Sequence, residues 1–115
     1  MPLLKTVLPG FAADLSKALE REGHKRLAME VATTRIEDWC RCELTGCVTF
    51  FAVPKAEAPP GTECDRLIPE MVGVDCIQFH SGRIIWIEAL DRPHDRRRLL
   101  DFEKKHGKIG TSKKS

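Results

Sequence analysis

Apolar residues recur at every fourth position from Phe11 through Leu15 to Leu19, between Pro9 and Gly23. That spacing places them on one face of an α-helix, with Pro9 suited to its first turn and Gly23 to its stop. Asp14 near the start and Arg21 near the end match the sign of the helix dipole. The following stretch, Lys25 to Val31, is made mostly of good helix formers, and Leu27 and Val31 are four apart. It predicts a short second helix, although Leu27, Met29 and Val31 also alternate as a strand would.

From Ile36 the period becomes two. Ile36, Cys40, Cys42 and Leu44 fall on one face, and Glu37, Trp39, Arg41 and Glu43 on the other. Thr45-Gly46 reads as a turn and Cys47 to Val53 as the returning strand. A two-residue loop would set Leu44 against Cys47, Cys42 against Thr49 and Cys40 against Phe51. The three thiols then share the inward face, whereas a loop of another length shifts the register. Residues 54–70 contain Pro54, Pro59, Pro60, Gly61 and Pro69 and read as one long connection. A second hairpin runs from Met71 to Phe79, turns at Ser81-Gly82 and returns from Arg83 to Leu90. The unbroken run Ile84, Ile85, Trp86, Ile87 marks a strand inside a sheet or against a partner. Asp91 and Pro93 open a last helix that His106-Gly107 close, with Leu99, Leu100 and Phe102 as a narrow apolar stripe.

The expected fold is α+β: two N-terminal helices, a four-stranded antiparallel sheet of two hairpins and a C-terminal helix. Residues 1–107 form a single domain and 108–115 a flexible basic tail. The expected core is Phe11, Leu15, Leu19, Cys40, Cys42, Phe51, Ile85 and Ile87. The opposite sheet face then carries Trp39, Val48, Phe50, Ile77, Phe79, Ile84 and Trp86, and a second apolar face asks for a covering partner. The leading expectation is a small non-catalytic interaction protein that binds a protein partner or itself, as a homodimer. Trp39, Phe50 and Trp86 are its anchors, since aromatic residues dominate such contacts.

Composition narrows the class. At 115 residues, 42% hydrophobic and 31% charged, the chain can bury a core and needs neither metal nor disulfide to fold. No uncharged apolar run approaches the roughly 20 residues of a membrane-crossing helix. The N-terminal stretch lacks the marks of an export signal and five cysteines is an odd number, so a cytoplasmic location with reduced thiols is expected. Residues 92–115 hold nine Lys/Arg against three acids, while residues 1–91 hold ten against fourteen. Arg96, Arg97 and Arg98 make this basic end a candidate for nucleic acid or an acidic partner; a solvated helix face is the plainer reading. The absence of tyrosine and the few other aromatics argue against stacking on single strands.

Two constellations carry possible chemistry. Cys40, Cys42 and Cys47 form a C-x-C-x4-C run. As zinc ligands they would need a fourth donor, from Cys64, Cys76 or a histidine, and a strand would hold the first two Cα atoms about 6.8 Å apart. As buried free thiols they would act as small apolar residues. As a redox centre they would need a nearby positive charge, and Arg41 points to the opposite face. A zinc-binding or nucleic-acid-associated accessory domain built on these cysteines and the basic helix is the alternative function. The second constellation is Asp75 opposite Glu88, a carboxylate pair that could share a proton in an enzyme or lie solvated at a strand end.

The segments from Gly23 to Val53 and from Val74 to Pro93 carry a short helix, a C-x-C strand and turn, and a late hairpin. That hairpin reads Gly82-Arg83-Ile84-Ile85-Trp86-Ile87-Glu88 and ends near Leu90-Asp91-Arg92-Pro93. In these features the chain resembles a family of small bacterial proteins of uncharacterised function. The resemblance implies a bacterial, cytosolic protein with helix at Lys25 to Val31, and it implies no activity and no catalytic residues.

Overall fold

The computed structural model of the chain describes residues 1–110. Its helices are α1 (Leu4–Val7), α2 (Pro9–Arg21), α3 (Lys25–Glu30) and α4 (Pro93–His106). The strands are β1 (Asp38–Trp39), β2 (Phe50–Phe51), β3 (Asp65–Leu67), β4 (Val74–His80) and β5 (Arg83–Ala89). They form one antiparallel sheet in the order β1-β2-β5-β4-β3. The α+β class holds, with two additions: α1 precedes the expected helices, and β3 emerges from the proline-rich connection as a fifth strand. α1 is anchored by backbone bonds to the chain after α3, Leu4 N–H to Thr34 O at 2.8 Å and Ile36 N–H to Pro2 O at 2.9 Å.

The β4–β5 hairpin turns at Ser81-Gly82, both with positive φ (51° and 77°), which fits the two-residue hairpin turn that suits strand twist. Two irregularities then change its register. Ile85 is an extra residue on β5 between the pairs Phe79↔Ile84 and Gln78↔Trp86. Asp75 is an extra residue on β4 between Val74↔Ala89 and Cys76↔Glu88. A bulge reverses the alternation of faces beyond it.

The pairings therefore define two rows across the whole sheet. Trp39, Phe50, Ile87, Ile77 and Leu67 line one face; Asp38, Phe51, Trp86, Gln78 and Arg66 line the other. The first row belongs to the core with Phe11, Leu15 and Leu19 from α2, Leu27 from α3, Leu99 from α4 and Ile109 beyond it. This reverses the expected faces of β1 and β2 and adds Ile77 and Ile84 to the core, while Ile87 lies in the core and Trp86 on the outer face as expected. Trp39, Val48, Phe50, Ile77 and Ile84 lie under the helices, whereas Cys40 is exposed and Cys42 and Phe51 are half-buried. The bulkier row wins because it removes more apolar area from water. Ile109 is 2% exposed, so the folded body continues past residue 107 to Gly110; the rest of the expected basic tail, residues 111–115, lies outside the described residues. No described helix is long and apolar enough to cross a membrane.

Candidate metal centre

The expected Cys40–Leu44 strand does not form. The ladder between β1 and β2 has two paired rungs, Asp38↔Phe51 and Trp39↔Phe50, plus a bond from Cys40 N–H to Thr49 O at 2.8 Å. Cys40 thus faces Thr49 rather than Phe51, and the connection is a loop rather than a two-residue turn. The loop is pinned to the end of β5: Val48 N–H bonds Ala89 O at 2.7 Å, and Arg92 N–H bonds Gly46 O at 2.7 Å. Gly46 lies so close to this backbone that an added Cβ would stand 2.8 Å from Leu90 O and 3.0 Å from Asp91 Cα. Gly46→Ala should therefore push the Leu44–Cys47 turn off β5 and cost roughly 1–3 kcal/mol, measured by denaturant unfolding.

Freed from a flat strand, the loop gathers its cysteines. The sulfurs of Cys40, Cys42 and Cys47 all lie within 4.8 Å of one another, and all three are free thiols. Sulfurs around a tetrahedral zinc, at Zn–S of about 2.3 Å, stand about 3.8 Å apart, so small side-chain rotations would close the set. Cys40 is exposed, Cys42 half-buried and Cys47 buried, so the cluster opens to one side. Cys47 Sγ lies 3.5 Å from Thr49 Oγ1, which itself accepts the Ala89 N–H at 3.1 Å.

Helix α4 clamps the loop. Arg96 donates to the carbonyl of Cys47 at 2.8 Å and to that of Cys42, and its guanidinium lies 5.1 Å from the Trp39 ring centroid. Arg41 lies 4.8 Å from the same ring and grips Glu103 at 2.7 and 2.6 Å. Glu103 also accepts the Trp39 indole N–H at 3.1 Å and the Ile109 backbone N–H at 2.7 Å.

The loop's own donors, with a smaller contribution from Arg96, polarise the thiols. The Cys42 thiol is lowered to about 7, first by the Leu44 backbone N–H against some desolvation, then by the Cys47 and Cys40 thiols and the Arg96 charge. The Cys40 thiol is raised, chiefly by burial. Cys42 is the sulfur that carries negative charge first, with its neighbours arranged as donors to it. Among the described residues no fourth His, Cys, Asp or Glu joins the group.

The other residues singled out from the sequence are dispersed. Trp39 (6% exposed) and Phe50 (1%) are core residues, so of the three aromatic anchors only Trp86, half-buried, reaches the outer face. Arg97 and Arg98 are exposed on α4, whereas Arg96 is spent on the thiol loop. Asp75 and Glu88 do not oppose one another, because the bulge puts Cys76 across from Glu88 and Asp75 accepts the Leu90 N–H at 3.1 Å. Cys64 and Cys76 stand outside the cluster. Glu103, which locks α4 to the loop, carries a sequence signal that passes easily unnoticed: an acid in the last turn of a helix opposes the dipole and implies a specific cation.

Comparison with protein-family models, with curated proteins and with solved structures finds no match for this chain.

Proposed function

We propose that this chain is a small metal-binding module that holds a thiophilic divalent ion, zinc being the natural occupant, on Cys40, Cys42 and Cys47. The observation that carries the reading is the convergence of three free sulfurs within 4.8 Å of one another. Thiolates select soft and borderline ions, and zinc accepts them without geometric preference of its own. Three thiolates around a divalent ion leave one net negative charge, which the neighbouring Arg96 guanidinium offsets. The apolar core is extensive without the loop cysteines, so metal is not needed to fold the chain. A three-residue donor set leaves a coordination position free for an outside ligand, the pattern of zinc sites that act on something rather than brace a fold.

Native mass spectrometry of protein reduced, stripped and reloaded with zinc is the direct test. One ion per chain is expected, and none in a variant with all three cysteines replaced by serine. Equal metal content in the two would overturn the reading. Binding of a protein partner or a second copy remains the other proposal, with Trp86 left of its three expected anchors. It carries less, because Trp39 and Phe50 are spent inside the core.

A further inference from the structure

A pocket of about 220 Å³ opens on the outer sheet face beside the thiols, and Asp38, Cys40, Thr49, Phe51, Lys55 and Trp86 line it. Cys40 belongs both to this pocket and to the sulfur cluster, and the Thr49 hydroxyl touches Cys47 Sγ. Cys40 therefore joins the pocket to the sulfur cluster, and Cys47 lies behind the Thr49 side chain. We infer that this pocket takes a low-molecular-weight thiol bearing a carboxylate, a molecule of the size of cysteine, whose sulfur supplies the fourth donor to the ion and whose carboxylate rests on Lys55. The inference rests on the metal reading of the cluster.

Size, charge and donor chemistry each contribute. Pockets for drug-sized ligands run from about 300 to 1,000 Å³, so this one suits a molecule of few atoms rather than a nucleotide or a folded partner. Lys55 sits above the Phe51 ring, 5.4 Å from its centroid, with its side chain 64% exposed. Its ion pair with Asp38 Oδ2 is long, 3.8 Å. Asp38 is largely buried, but the exposed and mobile Lys55 end of a pair this long is held weakly, so a ligand carboxylate can take the Lys55 ammonium. Asp38 is then left to receive an ammonium group if the ligand has one. Trp86 and Phe51 pair directly across β5 and β2 and offer an apolar wall to the ligand's carbon chain. A thiol completes a four-sulfur tetrahedron around the ion, and its proton passes to solvent as the metal–sulfur bond forms.

Cobalt(II) in place of zinc gives an optical readout, because its visible absorption reports how many sulfurs surround it. The cobalt-loaded chain would be titrated with cysteine, 3-mercaptopropionate, 2-mercaptoethanol and serine. Cysteine and 3-mercaptopropionate should shift the spectrum to a four-sulfur form and bind about tenfold more tightly than 2-mercaptoethanol, which lacks the carboxylate. Serine should leave the spectrum unchanged. Lys55→Ala should bring cysteine to the level of 2-mercaptoethanol. Equal affinity for cysteine and 2-mercaptoethanol, no effect of Lys55→Ala, or loss of cobalt to the added thiol would each overturn the inference. If cobalt binds with three sulfurs and no thiol adds to it, only this inference falls. If cobalt never binds through sulfur, the metal reading falls with it.

Discussion

Cys42→Ser should lower the affinity for zinc by roughly a hundred- to a thousandfold while leaving the metal-free protein as stable as the parent. The size follows from sharing the binding free energy of a thiolate-rich zinc site, about 10–16 kcal/mol, among four ligands, which gives about 2.5–4 kcal/mol for each. The choice of Cys42 keeps the test clean. Cys47 is buried, so its replacement would disturb packing as well as ligation, whereas Cys42 is half-buried in a loop. Competition against a chromophoric chelator measures the affinity, and denaturant unfolding of the metal-free form checks the fold. Unchanged affinity would remove Cys42 from the ligand set. The parent protein should also bind zinc more tightly as pH rises. Below about pH 7 the Cys42 thiol must lose a proton to bind, and the raised Cys40 thiol must still do so above that. Each proton displaced makes affinity climb with pH, so the loss on acidification steepens as pH falls through 7 and is steepest below it.

The charge balance around the cluster explains why the loop and α4 form one unit. A thiolate in a half-buried loop needs donors and a compensating cation close by. Leu44 N–H supplies the principal donor, and Arg96 brings the charge from a helix that begins almost fifty residues later in the chain. Arg96 reaches the loop through its carbonyls, so its hold survives whichever protonation state the sulfurs adopt. The basic C-terminal helix is thus partly an internal counter-charge. Arg97 and Arg98 remain exposed and available to solvent.

Helices α2, α3 and α4 and the β4–β5 hairpin were legible in the sequence because their signals are local, whereas α1 was not. Phe11, Leu15 and Leu19 mark one face of α2 by spacing alone, and Ser81-Gly82 marks its turn by conformational preference. The orientation of the sheet was not legible. Its alternation is interrupted at Ile85 and Asp75, and a single extra residue moves every later side chain to the other face. The cysteines were visible as a run but misplaced for a different reason. Period-two alternation through Cys40 and Cys42 implies a strand, yet the ladder ends at the Cys40–Thr49 bond and the chain curls into a loop. That loop forms because Gly46 can lie directly on the backbone of residues 90–92, a long-range contact with no local signature beyond the glycine. The closeness of the three sulfurs, and the partners Arg96 and Glu103, are tertiary facts of this kind.

Glu103→Ala should be the most damaging single change outside the apolar core. Its carboxylate, with the side chain 8% exposed, accepts from Arg41, from the Trp39 indole and from the Ile109 backbone. Removing it leaves the Trp39 and Ile109 donors buried without a partner and Arg41 with an uncompensated charge. The cost should be about 2–4 kcal/mol, below that of a wholly buried ion pair because Arg41 keeps part of its surface in water. For a domain of this size that lowers Tm by roughly 10–20 °C. Desolvation raises the Glu103 carboxyl, but the bonds from Arg41, Ile109 and Trp39 together with the Arg41 charge outweigh it and hold it below its ordinary value of 4.5. A carboxylate depressed on folding stabilises above its unfolded value, and that stabilisation drains away as pH falls through the folded one. The stability gap between the parent and Glu103→Gln should therefore be full at neutral pH and shrink below about 4.5. Zinc affinity of Glu103→Gln should also fall, by about tenfold, because Arg41 and Trp39 no longer hold the thiol loop against α4. A variant with parental Tm and a pH-independent gap would show that α4 is held by its apolar stripe and that the Glu103 contacts contribute nothing.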